Sequence, residues 1–211
     1  MIKVEGKLPR KVVVACSGGA DSMAVLDFLK RNHDVQVAYY NHLTPHGIEA
    51  YDFLDDYCTK HKLEFISDEI RGHPKPAEKS QEEHWRDERY KFLHNIRETV
   101  VMGHHLDDCV ETWMFTSMHG DSRTIPYARG NVIRPFRHNR KRDLELWCNI
   151  KNVPYVEDES NNDTSYMRNH IRHNMMHHVL KVNPGIHKMV RKRLTTEVNR
   201  VNIKDNYEIA H

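Results

Sequence analysis

No two cysteines in this 211-residue chain form a C-x-x-C pair; Cys16, Cys58, Cys109 and Cys148 are widely separated. That spacing argues against a structural zinc site and a redox dithiol, and Cys16 and Cys148, next to apolar residues, read as core positions. Long apolar runs are also missing. The stretch after Lys11 is too short for a secretory signal and nothing approaches membrane-spanning length, so a cytoplasmic protein with no membrane association is expected. There are no internal repeats and no low-complexity tract. Hydrophobic residues are only 38% of the chain and mean hydropathy is −0.78, so the surface must be heavily charged. A chain of this length can still bury a core without disulfides. An excess of one charge is lacking too: 32 basic residues face 30 acidic ones. The net charge of +2 neither requires nor excludes nucleic acid, but its distribution is uneven. Six of the nine positions from Arg134 to Arg142 are Arg, Lys or His, and Arg168 to Arg193 is again basic. Most acidic residues lie before Glu111. The basic half is the expected RNA side, with Arg137, Arg140 and Arg142 as candidate contacts.

What is present alternates. Strand-like runs at Lys11–Ala15, Val35–Tyr40, Leu63–Ser67, Thr99–Gly103 and Val132–Pro135 are separated by helix-length stretches at Gly47–His61, Lys79–Glu98 and Leu106–Met118. The pattern predicts an α/β fold, a parallel five-stranded Rossmann-like sheet with helices on both faces. After Pro135 it changes to helices at Arg140–Lys151, Tyr166–Lys181 and from Pro184 to about Val201, with a short extended piece at Val153–Val156. Two parts are therefore expected: a sheet domain over 1–136 and a helical part over 137–211. Gly72–Glu78, with two prolines, reads as a surface loop.

Ser17-Gly18-Gly19-Ala20-Asp21-Ser22 lies where the first strand meets the first helix. Small residues and a helix N-terminus let backbone N–H groups crowd an anion. A plain strand-to-helix turn with Ser22 or Asp21 as the cap accounts for the same letters. No Gly-Lys-Ser/Thr closes the loop, so it is not a Walker loop. The second group is His104-His105-Leu106-Asp107-Asp108-Cys109-Val110-Glu111-Thr112. On a helix, Asp107 and Asp108 lie four and three residues before Glu111, so the carboxylates share a face and call for a cation between them, Mg²⁺ or a substrate ammonium. Acidic residues favoured by the helix dipole explain them equally. The two histidines, read as exposed, suit phosphate contact or proton transfer. Glu82 to Tyr90 is in isolation a charged helical face. Asp158 to Arg172 reads as an Asx-rich turn capping a helix from Tyr166, with Arg168 and Arg172 on one side of it.

The Ser-Gly-Gly-x-Asp-Ser loop resembles the pyrophosphate (PP) loop of the N-type ATP pyrophosphatases. The ordered set Ser-Gly-Gly-x-Asp-Ser, Glu-x-x-x-Arg-x-x-Arg-Tyr, His-His-x-x-Asp-Asp-x-x-Glu-Thr, Arg-Pro and Asp-x-Ser-Asn-x-Asp-x-x-Tyr-x-Arg-Asn-x-Ile-Arg resembles the tRNA(Ile)-lysidine synthetase family. It covers about residues 11 to 180. The last motif falls on Asp158, Ser160, Asn161, Asp163, Tyr166, Arg168, Asn169, Ile171 and Arg172. The resemblance implies an ATP-dependent ligase that joins L-lysine to C2 of the wobble cytidine of tRNA(Ile) with a CAU anticodon, through an adenylated tRNA. It implies that Ser17, Gly18, Gly19, Ala20, Asp21 and Ser22 hold pyrophosphate, with His104 and His105 also at the nucleotide. Asp21, Asp107 and Asp108 would hold Mg²⁺, and Asp21, Asp107, Asp108, Glu111 and Arg168 would be the catalytic set, Glu111 deprotonating the lysine amine. Glu82, Arg86, Arg89, Arg134, Arg137, Asn169 and Arg172 would contact substrate and tRNA.

Three positions depart from the family pattern. Trp85 replaces the usual Ala before Arg86, His119-Gly120-Asp121-Ser122 replaces an Arg-Gly-Ser-Gly-like loop, and the stretch near His42 lacks its usual arginine. The resemblance implies a short form without the C-terminal tRNA-binding domains of longer members, and both a monomer and an oligomer agree with it. Two other readings remain open at this point: a tRNA-modifying enzyme of the 2-thiocytidine type, against which the missing paired cysteines argue, and a non-catalytic ATP- or tRNA-binding module.

Overall fold

Val12, Val13 and Val14 are completely buried because their strand lies inside the sheet, with layers against both faces. The computed structural model describes residues 2–157, 164 and 167–196. The strands are β1 (Lys11–Ala15), β2 (Asp34–Asn41), β3 (Glu64–Glu69), β4 (Val100–Met102), β5 (Ala128–Arg129) and β6 (Val132–Ile133), in the order β3-β2-β1-β4-β6-β5. The five expected parallel strands are present. The addition is β5, two residues that pair antiparallel with β6 across a hairpin at Gly130 and are too short to carry a periodic signal.

The helices α1 (Ala20–Leu29), α2 (Pro45–His61), α3 (Gln81–His94), α4 (Leu106–Met118) and α5 (Lys141–Lys151) follow the sequence pattern closely. Thr44 and Ser80 cap α2 and α3 by accepting the amides of Gly47 and Glu83. Further on, α6 (Met167–His170) runs through a π turn (Ile171–Met175) into α7 (Met176–Val182), and residues 186–196 form a last helix, α8.

The packing does not divide at residue 137. α5 lies on α1: Leu144, Cys148 and Val153 belong to the core that holds Met23, Leu26 and Leu29, and Trp147 donates to Asp27 at 2.9 Å. A second core joins α4 to the helices after residue 164, through Leu106, Val110 and Met114 against Ile171, Ile186, Val190 and Leu194. The helical part that packs as a separate layer therefore begins after α5. Among the described residues no helix is long and apolar enough to cross a membrane.

Strand order reverses between β1 and β4, which lie side by side and lead into the two motif loops, residues 16–19 and 103–105. In such sheets that crevice is where ligands bind.

Candidate active site

The loop after β1 is closed by Ser22. Its hydroxyl accepts the Ser17 amide at 3.1 Å, donates to the Gly19 carbonyl at 2.9 Å and lies 3.2 Å from the Ser17 hydroxyl. Neither Ser22 nor Asp21 caps α1, contrary to the turn reading; the N-cap is Gly19 and no side chain bonds the first turn. The donors of that turn are thus unclaimed by any capping side chain. Gly18 has φ +82°, and a Cβ there would lie 3.0 Å from Val156, whose amide donates to the Gly18 carbonyl at 3.0 Å. At Gly103 a Cβ would come within 3.3 Å of the Asp21 carbonyl, so a side chain there would push the end of β4 and α1 apart by a few tenths of an ångström. Asp21 has one oxygen, Oδ1, buried with no partner. Its other oxygen lies 3.5 Å from His105 Nε2.

The histidine pair is not exposed. His105 is 1% accessible and opens α4 with a capping box: Nδ1 accepts the Asp108 amide at 3.2 Å, and Asp108 accepts the His105 amide at 2.9 Å. Burial opposes charge on His105, yet Asp108, Asp21 and Asp107 outweigh it and lift its pKa to about 9. In that protonated form Nδ1 is a donor that can no longer accept the amide, and Asp108 Oδ2, 3.4 Å away, is its ion-pair partner. His104 behaves oppositely. Burial and the guanidiniums of Arg134, Arg89 and Arg168 push its pKa well below the ordinary value, and its Nδ1 is buried without a partner.

Asp107 is committed elsewhere. Its Oδ1 accepts from Arg140 at 2.9 Å and lies 3.1 Å from His187 Nε2 of α8, and its Oδ2 accepts the Lys141 amide at 2.8 Å. Burial would raise its pKa, but His187, Arg140 and the Lys141 amide hold it below the usual carboxylate range. Both oxygens are used, so the expectations for Asp107 as a metal ligand and Arg140 as an RNA contact give way to a clamp joining α4, α5 and α8. A depressed carboxylate stabilises the fold above the ordinary aspartate value, about 4, and loses that contribution as pH falls below it. Asp107→Asn is therefore expected to cost about 2 kcal/mol at pH 7, less than a fully buried pair because Asp107 is partly exposed. Urea unfolding should show the gap to wild type closing below about pH 4.

Glu111, 3% accessible, is gripped by both ends of the Arg172 fork at 2.8 and 3.0 Å, and Arg172 also lies 3.5 Å from Asp108. The cation that the α4 carboxylates call for is supplied by the chain itself. Burial raises the Glu111 pKa, with Arg172 pulling against it. Glu111 in this pairing is no free base, and Arg172 is not free to grip phosphate.

On the other side of His104 the charge is positive. Arg134 donates to the Tyr90 hydroxyl at 2.6 Å, and the guanidiniums of Arg129, Arg86 and Arg134 lie 5.1, 5.6 and 5.9 Å from the Tyr90 ring centre. Burial and the proximity of Arg168, Arg129 and Arg134 lower the Arg86 pKa; Arg89 is lowered by burial, Arg86 and Arg168, and its Nε is buried with no partner. Several guanidiniums crowded together, one with an idle donor, make a site for an anion. Arg129 was missed by the sequence reading because a two-residue strand in an irregular stretch carries no signal. His187, an isolated histidine, gave none either.

Arg134 and Arg137 are not surface RNA contacts: they are 2% and 0% accessible. Arg137 donates to both Glu5 oxygens, at 3.2 and 2.8 Å, and to the Ile125 carbonyl at 2.6 Å. Of the basic run, Arg142 is exposed. Glu82 and Arg168 are exposed and Asn169 is half-buried. Two of the departures from the family pattern touch each other: Trp85 stacks on His42, ring centres 5.1 Å apart. Asp158, Ser160, Asn161, Asp163 and Tyr166 lie outside the described residues.

A family model described as a PP-loop domain matches residues 2–179. Among curated proteins, the chain is 32% identical over 194 residues to a tRNA(Ile)-lysidine synthase of Persephonella marina, covering 83% of this chain and 43% of that protein. It is 32% identical over 206 residues to a tRNA(Ile)-lysidine synthase of Lactiplantibacillus plantarum, covering 88% and 46%. The chain thus spans less than half the length of these relatives. Among solved structures, an NH3-dependent NAD synthetase from Campylobacter jejuni matches with a TM-score of 0.50 at 14% identity, over 92% of this chain and 87% of that one, a likeness of fold.

Proposed function

Because the chain belongs to the PP-loop family, we propose that it is an ATP-dependent ligase joining L-lysine to C2 of the wobble cytidine of tRNA(Ile) with a CAU anticodon. The observation that carries this reading is the buried, partnerless Oδ1 of Asp21 beside a Gly-Ser loop whose helix donors no side chain claims. The names of the relatives supply the acceptor and the amine.

Cytosine's C2 oxygen is a poor leaving group and has to be adenylated first. Ser17, Gly18, Gly19, Ala20 and Ser22 would hold the departing pyrophosphate by backbone and hydroxyl donors. Asp21 fits Mg²⁺, since nothing among the described residues uses its Oδ1 and carboxylates with phosphate oxygens are the usual donors of that ion. Among the described residues no group of three His, Cys, Asp or Glu side chains could hold a metal, so phosphate would complete the shell. When bound, Mg²⁺ offsets charge on the phosphates. His105 would fix Asp21, and Arg86, Arg89 and Arg168 would hold phosphate from the opposite side.

The lysine amine must give up a proton, for which the Asp108 carboxylate is the proposed acceptor, before it attacks C2 and breaks the C2–O bond to release AMP. We assign the orientation of that amine to Asp108, whose Oδ1 is 3.5 Å from Arg172 and held less closely than Glu111. The test is mass spectrometry of nucleosides from tRNA(Ile) incubated with ATP and lysine. Lysidine should form, with AMP release that requires both tRNA and lysine; AMP release independent of lysine would overturn the reading.

Cys109 is fully buried and burial pushes its thiol pKa up to about 12, so it has no part in this chemistry. Cys109→Ser is expected to keep lysidine formation within about twofold per folded molecule. A large loss with normal folding would point to sulfur transfer.

A further inference from the structure

Residues 164 and 167–196 contain no Asp or Glu. Within that stretch α8 is two-sided: Ile186, His187, Val190 and Leu194 are buried, and the other side is basic. Lys188, Arg191, Lys192 and Thr195 fall at three- and four-residue spacing, hence on one face, and with Gly185 and Met189 they line a shallow groove of about 590 Å³. Lys188 and Lys192 are exposed and have no partner among the described residues. Arg191 is bonded to the His138 carbonyl at 3.1 Å. The helix is not remote from the chemistry, since His187 on its buried side contacts Asp107, next in sequence to the site residue Asp108.

We propose that the Lys188–Arg191–Lys192 face of α8 docks the sugar-phosphate backbone of the RNA substrate. A lone phosphate would be served by convergent donors in a pocket. These cations instead lie along an open helix face, Lys188 one turn of about 5.4 Å from the Arg191–Lys192 pair, which suits a ligand whose negative charges repeat along its length. Among the described residues of this stretch no acidic side chain compensates the charge of the face. The inference rests on the proposed RNA substrate, but it concerns binding, not the reaction.

The test uses Lys188→Gln/Lys192→Gln, with Lys7→Gln/Lys60→Gln as a control of equal charge change at other exposed sites. Binding of unmodified tRNA(Ile) is measured across a salt series, alongside thermal melting and binding to anionic phosphatidylglycerol vesicles. If the face carries phosphate contacts, the α8 variant melts like wild type, binds tRNA about tenfold more weakly at moderate salt, and shows a log–log salt slope shallower by about 1.5. The control should change little. Equal losses in both variants, or an unchanged slope in the α8 variant, would overturn the proposal, as would α8-dependent binding to vesicles but not to tRNA. The outcomes separate from those of the proposed function: tRNA binding lost with the lysines in a protein that makes no lysidine refutes the reaction alone, and lysidine formation with unaltered α8-variant binding refutes the surface alone.

Discussion

Asp21→Ala should abolish AMP formation, by about three orders of magnitude, while leaving the melting temperature within a few degrees of wild type. The structure argues both halves. Oδ1 has no partner among the described residues, and Oδ2 meets His105 at 3.5 Å, so little structural bonding is lost. The carboxylate nonetheless adjoins the loop proposed to receive the leaving pyrophosphate, and a preorganised group at developing charge contributes on the order of 10²–10³ by itself. Loss of the proposed metal ligand would add to that. Single-turnover assays of AMP release from ATP, tRNA and lysine, with melting followed by circular dichroism, test it. Retained turnover would remove Asp21 from the site. Ser17→Ala should act in the same direction, through the loss of an exposed hydroxyl.

The second large effect separates two arginines that the sequence places four residues apart in one motif. Arg172 grips Glu111 with two donors of its guanidinium in a largely buried pair, whereas Arg168 is exposed and its charge helps lower the pKa values of Arg86 and Arg89. Lysine keeps the charge but loses the planar fork. Arg172→Lys is therefore expected to destabilise the protein by about 1–3 kcal/mol, because Glu111 keeps its buried charge with a poorer partner. Arg168→Lys should melt like wild type and lose most lysidine formation. Unfolding free energies and lysidine yields on the same two variants decide it. An Arg168→Lys protein with full activity, or one that fails to fold, would make that residue structural.

How far the sequence could be read follows from the range of the interactions. The β1 loop, α4 and the five parallel strands were legible because each is written in adjacent residues: small residues in a turn, apolar positions at helical or strand spacing. Side-chain partners were not. Glu5 and Arg137 are 132 residues apart, and Asp107 meets His187 across 80. Neither pairing leaves a local mark. A run of basic residues from Arg134 to Arg142 looks the same whether it faces water or the interior. In the fold, the glutamate near the N-terminus draws Arg137 inward, the Tyr90 hydroxyl and Pro126 carbonyl draw Arg134, and Asp107 takes Arg140. Likewise the motif correctly brings carboxylates together on α4, but the cation between them is Arg172, sixty-one positions from Glu111.

The π turn at Ile171–Met175 bears on which lengths of chain this architecture can tolerate. Such a turn accommodates one residue more than an α-helical turn. It lets Ile171 and Met176, five apart, both reach the core that Val179 and Leu180 then continue. Deleting one residue there would return the turn to regular α winding and keep those side chains on α4, whereas a deletion further along α7 would rotate everything beyond it by about 100°. The exposed 72–78 loop has no comparable phase to keep. Between divergent copies of this chain, insertions and deletions should therefore collect in the loop, and within the Met167–Val182 helical run the π turn is where a one-residue deletion should be accepted.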